Sequence, residues 1–152
     1  MSNKNTVNLV FVSISAIGIL FLGAILFYFS SPSNKAEASI SLLYKDLSDV
    51  GLGKSVYVEN CASCHGLALE GQANWRQSDA DGYLPAPPHD ETGHTWHHPD
   101  SYLFLMTKYG IEEMIGEKYP NKMPAYEDKL TDDEIIAVLS YIKSTWSARI
   151  QQ

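Results

Sequence analysis

The sequence predicts an all-α protein, with one membrane-spanning helix followed by a small domain of about three to five helices. Three observations carry this. Leu9 to Phe29 is a run of 21 residues without a charge. A helical stripe opened by a capping sequence lies near the C terminus. The segment around the chain's two cysteines shows no strand alternation.

At about 1.5 Å per residue, the run from Leu9 to Phe29 spans a hydrocarbon core of about 30 Å. A cleaved signal peptide is the competing reading, because Ala36-Glu37-Ala38 has the A-x-A form of a cleavage site. A signal peptide's apolar region, however, is usually about 7–15 residues long. Here it is longer, and the eight residues Ser30 to Glu37 separate it from Ala38. The expected organisation is therefore an N-terminal tail (1–8), an uncleaved anchor (9–29), a tether (30–47), a folded domain (48–148) and a C-terminal tail (149–152). Lys4 precedes the span while Lys35 and Glu37 follow it, so the flanking charges barely set its orientation.

Within the domain, Asp49 to Asn60 reads as a helix, with Gly53, Tyr57 and Cys61 four apart along one face. Leu67 to Asp100 then holds four prolines, Pro85, Pro87, Pro88 and Pro99, with glycines and scattered charges. Irregular segments of this length in compact domains are functional or wrap something. Helix returns over Asp100 to Tyr109, with Pro99 suited to its start and Gly110 to its end. Thr131-Asp132-Asp133-Glu134 is a capping box. Ile135, Val138, Leu139, Ile142 and Trp146 follow it as an i, i+3, i+4, i+7 stripe. This last helix must pack on something apolar, and the helix leading to the cysteines is the natural partner.

Cys61-Ala62-Ser63-Cys64-His65 carries the chemistry. Two thiols three apart on a helical turn point the same way, so both can form thioethers to one porphyrin edge. His65 lies four residues from Cys61 on the same face, placed to give a ring nitrogen to iron. The pattern reads as a c-type haem attachment site, with one covalent haem c as cofactor. A zinc site and a dithiol redox pair are the alternatives for CxxC. His94 and His98 have zinc-finger spacing, but 29 residues separate Cys64 from His94, against about 12–15 in a compact finger. A redox pair would need a βαβ context.

A second iron ligand opposite His65 must come from Met106, Met114, Met123 or another histidine. Met106 lies on the apolar face of a helix, where methionine is commonly core filling, and Met114 sits in a short helical turn of the same kind. Met123 stands in Asn121-Lys122-Met123-Pro124, where proline stiffens the backbone and prevents helix. A thioether on a stiff loop can be held over iron, which raises the reduction potential. Met123 is the expected ligand.

With these residues in view, the chain resembles a membrane-anchored class I, mono-haem cytochrome c. The resemblance rests on Cys61-x-x-Cys64-His65-Gly66, the Lys122-Met123-Pro124 loop and the closing helix with Leu139-x-Tyr141-Ile142, and it covers roughly residues 48–148. Gly53 and Tyr57 match the glycine and aromatic of that family's first helix, and Tyr141 the aromatic that crosses it. The resemblance implies an all-α fold around one haem and a one-electron carrier, not an enzyme. It also implies a proline carbonyl that accepts from the ligand histidine's second ring nitrogen. Pro85, Pro87 and Pro88 all remain open for that role. Covalent haem attachment in bacteria takes place outside the cytoplasmic membrane. The domain is thus expected in the periplasm, on the inner membrane's outer face.

The middle segment exceeds what a minimal carrier needs. His89, His94, His97 and His98 lie within ten residues. They admit a second metal site, with copper suited to imidazole. They also admit a loop whose His, Trp and Arg groups bond the haem propionates and one another, with Arg76 and Trp96 as candidate propionate donors. The net charge is −7, and removing Lys4, the one charged side chain before residue 30, leaves −8. That argues against nucleic acid as a docking target and favours basic surfaces on donor and acceptor proteins in or at the membrane, though an acidic surface also serves solubility. An oxidoreductase subunit, or a haem- or copper-dependent catalyst or sensor, is the alternative class.

Overall fold

The computed structural model describes residues 40–151. The expected membrane span at 9–29, the N-terminal tail and most of the tether lie outside these residues. Among those described, no helix is long and apolar enough to cross a membrane.

The described residues are helical, with no strand among them. Helix α1 (Leu47–Asn60) starts at Asp46, whose carboxylate accepts from the amides of Ser48 and Asp49. After Cys61 the chain resumes as α2 (Ala62–His65). A single 3-10 turn, Thr95–His97, interrupts the irregular segment. Helix α3 (Asp100–Tyr109) follows Pro99 and stops at Gly110. The short α4 (Ile111–Ile115) comes next, then α5 (Asp132–Ser144).

Helices α1 and α5 pack along each other and set the frame for everything else. Their contact is close because Gly53 has no side chain: a Cβ there would lie 1.9 Å from the Ala137 carbonyl oxygen. One turn on, Tyr57 crosses Tyr141 with ring centroids 5.5 Å apart. Tyr57, Ile135 and Val138 are almost wholly buried, and Leu103 and Phe104 of α3 close the same core.

The domain is wider than its helical pattern implies. Leu42 and Leu43 fall within the stretch expected to be tether. Yet Leu42 is buried, its amide donates to Asp100 (3.1 Å), and the Leu43 amide donates to the fully buried Ser140 hydroxyl (2.8 Å). At the other end Ile150 joins the core and the Gln151 amide group donates to the Lys143 carbonyl (3.1 Å), so these residues are packed rather than a free tail. Both segments serve the same need: a small domain buries too little surface with its helices alone.

The capping box forms as the sequence implies. Thr131 accepts from the Glu134 amide (3.3 Å), and the Glu134 carboxylate accepts from the Thr131 amide (2.8 Å). Thr131→Ala is expected to cost about 1 kcal/mol in a denaturant titration.

Candidate functional site

The lower end of α1 carries the cysteines into the wall of a cavity of about 580 Å³. That lies within the roughly 300–1,000 Å³ range of cofactor sites. Cys61, Cys64, His65 and Met123 all line it, as do Arg76, Met106 and the apolar side chains Leu103, Val138, Leu139 and Ile142. Met114 does not line it. The walls are therefore apolar where α3 and α5 face inward, and mixed where the irregular segment closes the side, with Leu84, Pro85 and Ala86 beside Arg76, His89, His94 and His98.

His65 is 6 % exposed, and its Nδ1 lies 2.8 Å from the Pro87 carbonyl oxygen. Of the three prolines left open by the sequence, Pro87 occupies this place. The carbonyl accepts, so Nδ1 carries the proton and Nε2 keeps its lone pair for a metal. Burial holds the His65 ring below the usual histidine range, and the Pro87 contact partly opposes this. Gly66 follows with φ +82, a left-handed conformation that L side chains rarely adopt. Its carbonyl accepts from the Tyr57 hydroxyl (2.8 Å).

Burial pushes the Cys61 thiol up to about 11. A dithiol redox pair would need a βαβ context, and no strand lies among the described residues. Among the described residues, no group of three or more His, Cys, Asp or Glu side chains is placed to hold a metal ion. The four histidines of the loop instead enter aromatic contacts, and two of them, His94 and His98, meet edge to face at 5.6 Å. His89 stacks on His65 at 4.0 Å, His94 on Trp75 at 5.4 Å, His97 on Trp96 at 3.7 Å and His98 on Tyr102 at 4.8 Å.

Arg76 lines the cavity with its guanidinium 3.9 Å over the Trp75 ring. Trp96, expected beside it, lies elsewhere. It packs against the core, it is not among the cavity's lining residues, and its indole nitrogen is buried without an acceptor among the described residues. The 3-10 turn explains this: Thr95 points inward, 6 % exposed, and the next side chain is rotated by about 120°. Trp75 takes the position on the cavity wall.

The Met123 loop is fixed from several sides. Its own amide donates to the Asn121 side-chain oxygen (3.0 Å), and the Leu84 amide donates to the Pro120 carbonyl (2.9 Å). Lys122 pairs with Asp79 at 3.1 Å across the same gap. Beyond the loop, the Tyr126 amide donates to the Thr107 and Lys108 carbonyls at the C-terminal end of α3, and its hydroxyl donates to the Asn60 carbonyl (2.8 Å). Tyr126 thus ties the methionine loop to the cysteine turn, and burial pushes its hydroxyl up to about 12. No sequence pattern marks it for that role.

These residues fit a covalently held porphyrin. Two cysteines on one wall, a buried histidine with one free ring nitrogen and an apolar slot are the donor set and surface that such a group requires. Comparison with known proteins points the same way. The family model for cytochrome c matches residues 50–146. The chain is also 30% identical, over 97 residues, to the Cbb3-type cytochrome c oxidase subunit CcoP of Azospirillum sp. (strain B510). That match covers 64% of this chain and spans only 29% of the relative's length. No solved structure matches the chain significantly.

Proposed function

The chain belongs to the cytochrome c family, and from that premise we propose that it is a membrane-anchored one-electron carrier whose iron is held between His65 and Met123. It carries haem c, for which Cys61 and Cys64 supply the attachment motif. When bound, the haem supplies a one-electron couple at its iron. The observation that carries the reading is the convergence of Cys61, Cys64, Met123 and a Pro87-oriented His65 on one apolar cavity.

The chain's own residues do the rest. Pro87 sets the tautomer and direction of the His65 ring. Leu103, Val138, Leu139 and Ile142 exclude water from the cavity wall. Asn121, Lys122 and Pro120 hold Met123 in place, and Arg76 would meet the propionates of the bound haem. Residues 9–29 anchor the domain in the inner membrane with its body in the periplasm. The negative charge suits donor and acceptor proteins with basic faces, and argues against nucleic acid as a partner. The CcoP relative supports a further step: the carrier serves a membrane oxidase, as a subunit or beside one.

With His65 and Met123 both holding the iron, the bound haem would have no place left for a gas ligand. The reduced, haem-loaded protein should therefore show no spectral change under carbon monoxide, whereas Met123→Ala should bind it. Binding by the parent protein would contradict the proposal and favour a catalyst or sensor.

A further inference from the structure

We propose that His89 is a positioning residue for the iron ligand: with Pro87 it grips His65 on two sides and fixes the plane of its ring. The inference rests on His65 being an iron ligand, as set out above. Pro87, Pro88 and His89 are consecutive. The Pro87 carbonyl takes the edge of the His65 ring at Nδ1, 2.8 Å away. The His89 ring lies on its face, with centroids 4.0 Å apart and planes 22° from parallel. A hydrogen bond alone lets an imidazole swing about the bond axis, whereas a stacked ring blocks that motion. Together they leave His65 one orientation.

The gripping tripeptide is itself held tightly. Prolines at 87 and 88 fix the backbone between carbonyl and ring. Two glycines give Pro88 its seat. A Cβ on Gly71 would lie 2.4 Å from the Pro88 nitrogen, and one on Gly93 would lie 2.0 Å from its carbonyl oxygen. His89 is then fixed at three points by three different segments. Its amide donates to the Leu69 carbonyl (2.8 Å), its carbonyl accepts from the Trp146 indole (2.8 Å), and its Nδ1 meets the Thr95 hydroxyl (2.8 Å). Leu69 is buried in a left-handed conformation, φ +68, a strained state that persists where surroundings over-determine it. The Trp146 bond makes the turn just beyond α5 a support for the ligand.

An axial imidazole's orientation governs the electronic asymmetry of a ferric haem, so a positioning role has a readout that simple space-filling does not. The test is the proton NMR spectrum of the oxidised, haem-loaded protein, read with its reduction potential. His89→Phe keeps a flat ring on His65 but loses the Thr95 contact, and should change the haem methyl shifts less than His89→Leu does. His89→Leu fills the space without a stacking plane and should redistribute those shifts and move the potential. Thr95→Val conserves shape but frees the His89 ring, and should broaden or shift the same signals in a protein that still loads haem. Unchanged methyl shifts in both His89→Leu and Thr95→Val would overturn the inference and leave His89 as core filling. A parent spectrum without histidine on the iron would instead overturn the ligand assignment and this inference with it.

Discussion

Gly53→Ala is expected to destabilise the domain by about 3 kcal/mol or more, and to lower the yield of haem-loaded protein accordingly. The sign is what makes the result informative. In a helix interior, alanine is favoured over glycine by about 1 kcal/mol, so without a tertiary constraint the change would stabilise α1. Here the added Cβ meets the Ala137 carbonyl oxygen at 1.9 Å and its carbon at 2.5 Å, with the Tyr141 Cβ at 2.9 Å. Two of those atoms are backbone, so no rotamer change relieves the clash. Helices α1 and α5 must move apart, and Tyr57 loses its crossing with Tyr141. Against a total stability of roughly 5–15 kcal/mol, such a loss is large. A denaturant midpoint within error of the parent would show that the helix crossing does not hold the domain together.

Met123→His is expected to lower the reduction potential on the order of a few tenths of a volt, inside the roughly 0.8 V over which axial ligands set haem potentials. The thioether favours the ferrous state, and a second imidazole removes that preference. Loop strength matters for the result. The Asn121 contact, the Leu84–Pro120 bond and the Lys122–Asp79 pair hold residue 123 in place, so the new ring is presented from the same point. The exposed Lys122–Asp79 pair contributes little energy by itself, but it selects one position of the loop. A potentiometric titration showing no shift would place Met123 off the iron.

The helices were largely readable from residue types. The capping box at Thr131 and the stripe from Ile135 to Ile142 gave α5, and Pro99 with Gly110 bracketed α3 at its observed limits. The spacing of Cys61, Cys64 and His65 gave the attachment site, because that chemistry acts within one helical turn. What escaped the sequence was long-range and irregular. Nothing in Leu42 or Ile150 announces that it completes a core, since that depends on surface left bare by helices far away in the chain. The choice of Pro87 over Pro85 and Pro88 turns on the path of the loop, which a run of prolines constrains without fixing. The histidines were the least legible. Four of them within ten residues suggested metal chemistry or propionate contacts. The fold instead packs the rings on aromatic neighbours, His89 on His65, His97 on Trp96, and His94 and His98 on each other as well as on Trp75 and Tyr102. Trp96 was displaced by the 3-10 turn at Thr95, and Trp75 stands at the cavity in its stead.

The central claim is that iron in this domain sits between His65 and Met123. Its most direct measurement is the proton NMR spectrum of the reduced protein, compared with Met123→Ala and Met106→Ala, since both methionines line the cavity. A methionine methyl group on iron gives a three-proton signal far upfield of all others, through the ring current of the haem. The account predicts this signal in the parent, its persistence in Met106→Ala and its loss in Met123→Ala. Loss in Met106→Ala with persistence in Met123→Ala would contradict it.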